Sequence, residues 1–250
     1  MITASLGRYV RTLLRSGLPR LLLSDPGTHL AILSPGAGEP EFQEEFSQNG
    51  RVQIHPLEDV QMGRALWQRA LWKACLLSQR SRWAYPVAMD FSHWCHRALS
   101  PRYYAWLFQE FQPQMVLVGS CGFSTHRDVP LIREARAARV PTLYVVHSWD
   151  NLNGVKGTML ERPDWLAVWN DSMKKEAIER YHYSPTRVEA IGALQFDFYA
   201  VPHLLRERSD FLSALGLDPG RPVLTIATGM PDLDSAYVVE SLTKARQQGL

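Results

Sequence analysis

Short runs of β-branched and aliphatic residues alternate along this chain with longer stretches of helical periodicity, and that alternation limits the available folds more than any other feature. The runs predict strands at Ile2–Ser5, His29–Leu33, Val52–His55, Met115–Gly119, Thr142–Val146, Trp165–Trp169, Val188–Ile191 and Val223–Ala227. Between them the spacing predicts helices near Gly7–Leu23, Glu41–Phe46, Met62–Ser81, Pro101–Phe111, Asp128–Ala138, Ser172–Tyr181 and Ser209–Leu215. Strands separated by helices pair in parallel and cover both sheet faces with those helices, so the expected class is α/β with a Rossmann-like parallel sheet.

The joints carry their own chemistry. Asn170, Asp171 and Ser172 after a buried strand form a capped helix start, and Pro185 closes the helix that follows. The stretch LGLDPGRPVLTIATG reads as a helix end, a Pro-Gly turn and a fresh strand. The expected domains are therefore an N-terminal Rossmann-like unit over 1–200, a linker over 201–220 and the start of a second Rossmann-like unit over 221–250. About one strand and one helix follow Arg221, and Met1 sits directly on the first strand. A single such unit cannot bury its own apolar face, so the sequence reads as a fragment or a shortened frame whose second domain is truncated.

Composition excludes several classes. With 46% hydrophobic residues and 21% charged the chain is not disordered, and a formal charge of +2 is too small to mark a nucleic-acid binder. The three cysteines, Cys75, Cys95 and Cys121, form neither a disulfide framework nor a metal-ligand spacing, which fits a reducing cytosol. No apolar run exceeds six residues (Tyr103 to Phe108), so no segment spans a bilayer. Arg8, Arg11, Arg15 and Arg20 interrupt any secretory core at the N-terminus, which is read as a folded first helix.

Polar chemistry is crowded into TLYVVHSWDNLNGVKG, Thr142 to Gly157. In an open parallel sheet ligands bind beyond the carboxyl ends of the strands, and the burst from His147 to Asn151 follows a strand at that edge. Gly7 and Arg8 follow the first strand, Ser34 to Gly38 the second, and Ser120, Cys121, Gly122, Thr125, His126 and Asp128 the fourth, so one groove is expected to gather them. The plainer reading has Asp150 and Asn151 capping a turn, Trp149 packing, and Gly154 and Gly157 supplying positive φ. Cys121 with His126 and His147 permits a cysteine nucleophile on paper, although a free cysteine is more often a small buried hydrophobe. Phosphate-loop, dinucleotide-fingerprint and zinc-protease patterns are missing from the sequence, and no metal site is expected.

The segment from Gln61 to Gln112 has seven basic residues against Asp90 and Glu110, a net of +5, together with Trp67, Trp72, Trp83, Trp94 and Trp106. Arginine with tryptophan suits the anionic interface of a membrane, whereas the plainer reading is a core-packed helix with a solvated basic face. The expected location is the cytoplasm, with peripheral contact at the inner face of the membrane as the second expectation.

Four stretches in order, HSWDNLNGVKG, DWLAVWNDSMKKEAI, RVEAIGALQFDFY and LGLDPGRPVLTIATG, carry a family likeness. Together they resemble the N-terminal half, linker and first C-terminal strand of GT-B-type glycosyltransferase-like proteins of bacterial surface polysaccharide assembly. CDP-glycerol glycerophosphotransferases and non-hydrolysing UDP-N-acetylglucosamine 2-epimerases look similar in architecture. The matching positions include Gly192, Phe196 and Asp197, and the likeness covers about Met115 to Thr228.

The resemblance implies an acceptor-binding domain that works with a nucleotide-activated sugar or CDP-polyol donor and a glycan or lipid-linked acceptor, without a cofactor. On that reading Asp150 is the first candidate for the base, with His147 or His126 next, and Gly7, Arg8, Ser120, Trp149, Asn151 and Lys156 contact substrate. Thr228 and Gly229 would meet donor phosphate. A non-catalytic binding module, either a regulatory remnant or a subunit whose partner chain completes the cleft, and a 2-epimerase-like enzyme are the competing expectations.

Overall fold

The computed structural model describes residues 1–47, 49–58, 65–121, 127–152, 159, 161–200, 206–225 and 236–248. It divides into two compact units, Met1–Val201 and Pro202–Leu250.

The first unit is built on one all-parallel sheet. Its strands are β1 (Ile2–Thr3), β2 (Leu30–Ser34), β3 (Val52–Pro56), β4 (Val116–Val118), β5 (Thr142–Val145), β6 (Trp165–Val168) and β7 (Val188–Ala190), in the spatial order β3-β2-β1-β4-β5-β6-β7. The chain walks outward from β1 to β3 and returns beside β1 as β4. In register, Ile2 stands opposite Ile32 on one side and Leu117 on the other.

The side chains of these strands alternate between two apolar layers, as the two-residue strand period requires. Val116, Val118, Tyr144, Val146, Leu166 and Val168 face one layer, while Ile2, Ala4, Ile32, Leu117, Val145 and Ala167 face the other. Because both faces are covered, β2 and β4 are buried along their whole length.

The first layer is closed by α4 (Leu66–Ser78), α5 (Ala84–Leu99), α6 (Ala105–Phe111), α7 (Val129–Ala137) and α8 (Asp171–Tyr181). The second is closed by α1 (Gly7–Tyr9), a wide helical turn over Val10–Leu14, α2 (Leu18–Leu22) and α3 (Pro40–Phe46). The helix expected over Gly7–Leu23 is thus broken, and Gly17 with Pro19 at the start of α2 mark where the ladder restarts. Helix α8 starts as its sequence predicts, with the Asn170 side chain accepting from the Met173 N–H at 3.0 Å.

Helix α5 lies outside the predicted helices, because Pro86 in its first turn and the aromatic residues around it obscure the helical pattern. It runs beside α4 in the long crossover that returns the chain from β3 to β4. A buried Arg133–Glu134 pair on α7 ties this crossover down. The Glu134 carboxylate accepts the N–H groups of Tyr103 and Tyr104 at 2.7 and 2.9 Å at the start of α6, and Arg133 donates to the carbonyls of His96 and Pro101.

The second unit contains α9 (Arg208–Ala214), ended by Gly216 at φ +71°, and α10 (Ala236–Gln247). Of the strand expected at Val223–Ala227, the described residues Val223–Thr225 have no strand pairing, and no described residue of this unit forms a strand beside them. Ile226 and Ala227 lie outside the described residues.

Candidate functional site at the β1–β4 switch point

The sheet order reverses between β1 and β4, which is where the loops beyond the strand ends diverge and leave room for a ligand. Three segments meet there: the chain leaving β1, the end of β4 and the end of β5.

One aromatic ring joins them. Tyr9, at the end of α1, is buried with its ring against the backbone of Gly119 just past β4. A Cβ at position 119 would stand 3.0 Å from Tyr9 Cγ, so the absence of a side chain there is what admits the ring. On its other side Tyr9 meets the His147 imidazole edge-on, with ring centroids 4.7 Å apart. His147 follows β5 by two residues, so the strand period turns it away from Val146 and toward the layer that holds Tyr9.

The electrostatics are asymmetric. His147 is only 6% exposed, and burial first, then the nearby Arg8 and Arg11 charges, push its pKa down to about 4. At neutral pH it is an uncharged imidazole able to accept a proton. Arg8 and Arg11 are both exposed, and Arg8 lies over the Tyr9 ring at 5.4 Å. The edge therefore presents two guanidinium groups beside a neutral base.

Beneath it lies Asp128. The residue occupies the N-cap position of α7, yet its side chain makes no capping bond to that helix. Instead Oδ2 receives the Thr3 hydroxyl at 2.7 Å and the N–H groups of Gly119 and Ser120 at 3.1 and 2.9 Å, locking the end of β4 to β1. The Asp128 Oδ1 and Ser120 Oγ atoms are buried without a hydrogen-bond partner among the described residues. Burial raises the carboxyl pKa to about 6, against the opposing pull of the Thr3 hydroxyl and the two N–H groups.

Among the residues singled out from sequence, Gly7, Arg8, Ser120 and His147 come together at this edge. Trp149, Asp150 and Asn151 continue from His147 in a turn. Its geometry follows from Asn151, whose Oδ1 accepts the Ser148 N–H at 2.9 Å while its own N–H donates to the Ser148 carbonyl at 3.0 Å. Asn151 thus shapes the turn, and Trp149 stands 65% exposed at its tip rather than packing. Asp150 is half-buried in the same turn.

His126, Lys156, Thr228 and Gly229 lie outside the described residues, as do Gly122, Thr125, Gly154 and Gly157. Cys121 is fully buried, and burial raises its thiol far above the ordinary range, so it is held as a neutral thiol. No group of histidine, cysteine, aspartate and glutamate side chains among the described residues is arranged to hold a metal ion.

Sequence reasoning missed Tyr9 and Arg11 and undervalued Asp128. Tyr9 and Arg11 belong to a stretch whose pattern says only that it is helical, and Asp-Val-Pro at a helix start disguises Asp128 as an ordinary cap. No protein-family model and no curated protein sequence matches the chain. What the fold defines is a class: a Rossmann-like α/β domain with an arginine-rimmed, histidine-bearing edge at its switch point. No helix among the described residues is long and apolar enough to cross a membrane.

Proposed function

We propose that the Met1–Val201 unit is the acceptor-binding domain of a GT-B-type transferase that moves a sugar or polyol phosphate from a nucleotide-activated donor to a cell-envelope glycan or lipid-linked acceptor. The observation that carries this reading is the grouping of Arg8, Arg11 and a neutral His147 around Tyr9 at the switch point. Two guanidinium groups suit a phosphorylated ligand, and an imidazole that stays uncharged at neutral pH can take the proton of an attacking hydroxyl.

Asp150, half-buried three residues beyond, is the second candidate base, and exposed Trp149 offers a face on which a sugar ring stacks. The leaving diphosphate would be met by cationic side chains and backbone N–H groups.

The test uses the purified chain with a panel of nucleotide-sugars and CDP-polyols, measuring nucleoside diphosphate or monophosphate release with and without phosphorylated glycan acceptors. In parallel, the same acceptors are titrated and the melting temperature followed. Acceptor-dependent stabilisation that disappears in Arg8→Ala/Arg11→Ala supports the domain assignment, and release that disappears in His147→Gln or Asp150→Asn identifies the base. Stabilisation without release fits both an acceptor-binding domain acting without a donor-binding domain and a non-catalytic binding module, and transfer restored by a donor-binding domain supplied in trans identifies the first. Neither stabilisation nor release with any phosphorylated ligand overturns the proposal.

A further inference from the structure

Helix α5 is packed as an ordinary core helix on one side only. Tyr85, Met89, Ser92, Cys95 and His96 face the interior. Trp83, Val87, Phe91 and Trp94 recur at helical spacing on the opposite side, where a globular protein normally places charge. They are 75%, 69%, 55% and 62% exposed, and the Phe91 and Trp94 rings stack at 6.1 Å. Helix α4, alongside, adds Leu66 and Leu77, both more than three-quarters exposed. The solvent side of α5 is thus mainly apolar rather than the solvated basic face of the plainer expectation, with Asp90 and Arg97 the exposed charges among its apolar residues.

The basic residues border this apolar face. Arg69 and Lys73 are exposed on α4, Arg80 and Arg82 occupy the turn into α5, and Arg97 is exposed near the end of α5. Arg82 lies over the Trp83 ring at 5.1 Å. The hairpin's single acid, Asp90, is bonded to Arg136 at 2.8 Å, so its charge is already answered within the protein. Five cations thus border an aromatic stripe on a hairpin with no unanswered acid.

We infer that the α4–α5 hairpin docks on an anionic lipid surface, lying in the interface plane with Trp83, Val87, Phe91 and Trp94 sunk among the headgroups and the arginines on lipid phosphate. The charge pattern favours lipid over a second copy of this chain, because an isologous contact would oppose two sets of five cations. Tryptophan and phenylalanine beside arginine is also the composition that an interface between hydrocarbon and water selects. The inference does not depend on the chemistry proposed for the switch point, since the two use different residues.

The experiment is cosedimentation of the full chain with vesicles of phosphatidylcholine alone and with an equal mix of phosphatidylcholine and phosphatidylglycerol, at low and high salt. Binding to the mixed vesicles at low salt is expected, with release as salt screens the attraction and quenching of tryptophan fluorescence by brominated lipid. Trp83→Ser/Trp94→Ser should abolish sedimentation and quenching while keeping the circular dichroism of the parent, since neither side chain faces the core. Arg82→Gln/Arg97→Gln should weaken partitioning by roughly tenfold or more. No binding to the mixed vesicles, equal binding to both compositions, or self-association that Trp94→Ser dissolves would each overturn the inference.

Discussion

Asp128→Asn isolates a single buried charge at the strand ends. Asp128 is fully buried, and its carboxyl pKa of about 6 lies above the value of about 4 expected for an unfolded aspartate. The folded state therefore holds this proton more tightly than the unfolded one. The resulting penalty is absent below the unfolded pKa and grows as pH rises through the folded one. At pH 8 the full difference of about two units costs on the order of 3 kcal/mol; at pH 5, one unit below the folded value, about 1 kcal/mol of that has been recovered.

Asparagine keeps an acceptor oxygen for Gly119 and Ser120 and carries no charge at any of these pH values. Urea denaturation of both proteins at pH 5, 6, 7 and 8 reads the effect as the difference between them, which removes contributions from other titrating groups. The wild type should gain on the variant by about 1 kcal/mol between pH 8 and pH 5. A difference that stays flat, or that moves toward the variant as pH falls, would refute both the burial of charge and its sign.

Two further substitutions test the packing around the site. Gly119→Ala places a methyl group 3.0 Å from the Tyr9 ring, so it should cost about 1–3 kcal/mol of stability and shift the His147 ring resonances in NMR spectra as Tyr9 moves. Glu134→Gln leaves Arg133 buried without its carboxylate and one of the Tyr103 and Tyr104 N–H groups without an acceptor, so a loss of about 3–5 kcal/mol in chemical denaturation is expected.

The parallel sheet was legible because each buried strand is a short apolar run, and seven of the eight predicted strands pair within a residue or two of their expected limits. The described Val223–Thr225 have the same local character without strand pairing, since a strand exists only with a neighbour and periodicity carries no information about neighbours. The strand-end position of His147 was readable from the apolar run that precedes it. Its partner Tyr9 was not, because their contact depends on how α1 crosses β4 and on the bare backbone at Gly119. Helix α5 was obscured for a different reason: aromatic and aliphatic residues crowd its solvent side as well as its core side, so the polar half of the helical pattern is thin, and Pro86 stands in its first turn.

The geometry at the switch point also couples charge to occupancy. Arg8 and Arg11 help hold His147 neutral, so an anion seated between them cancels part of the field that depresses its pKa. Anion binding and proton uptake at His147 are then one linked equilibrium, and each strengthens the other by the same factor. The sign is fixed by the direction of the shift. Neutral His147 favours the folded protein above the ordinary histidine pKa, and that contribution is lost as pH falls toward about 4; a bound anion, by raising the folded pKa, ends the loss at higher pH and makes it smaller. Sulfate is a suitable probe because it does not titrate in this range. Following the His147 ring nitrogens by NMR as sulfate is added should show the titration midpoint rising, with calorimetry in buffers of different ionisation enthalpy registering proton uptake near pH 5. Arg8→Ala/Arg11→Ala should raise the midpoint without sulfate and abolish its further movement. A His147 midpoint indifferent to both sulfate and the two arginines would mean that burial alone keeps the ring neutral, and the arginines would then have no electrostatic role at this edge.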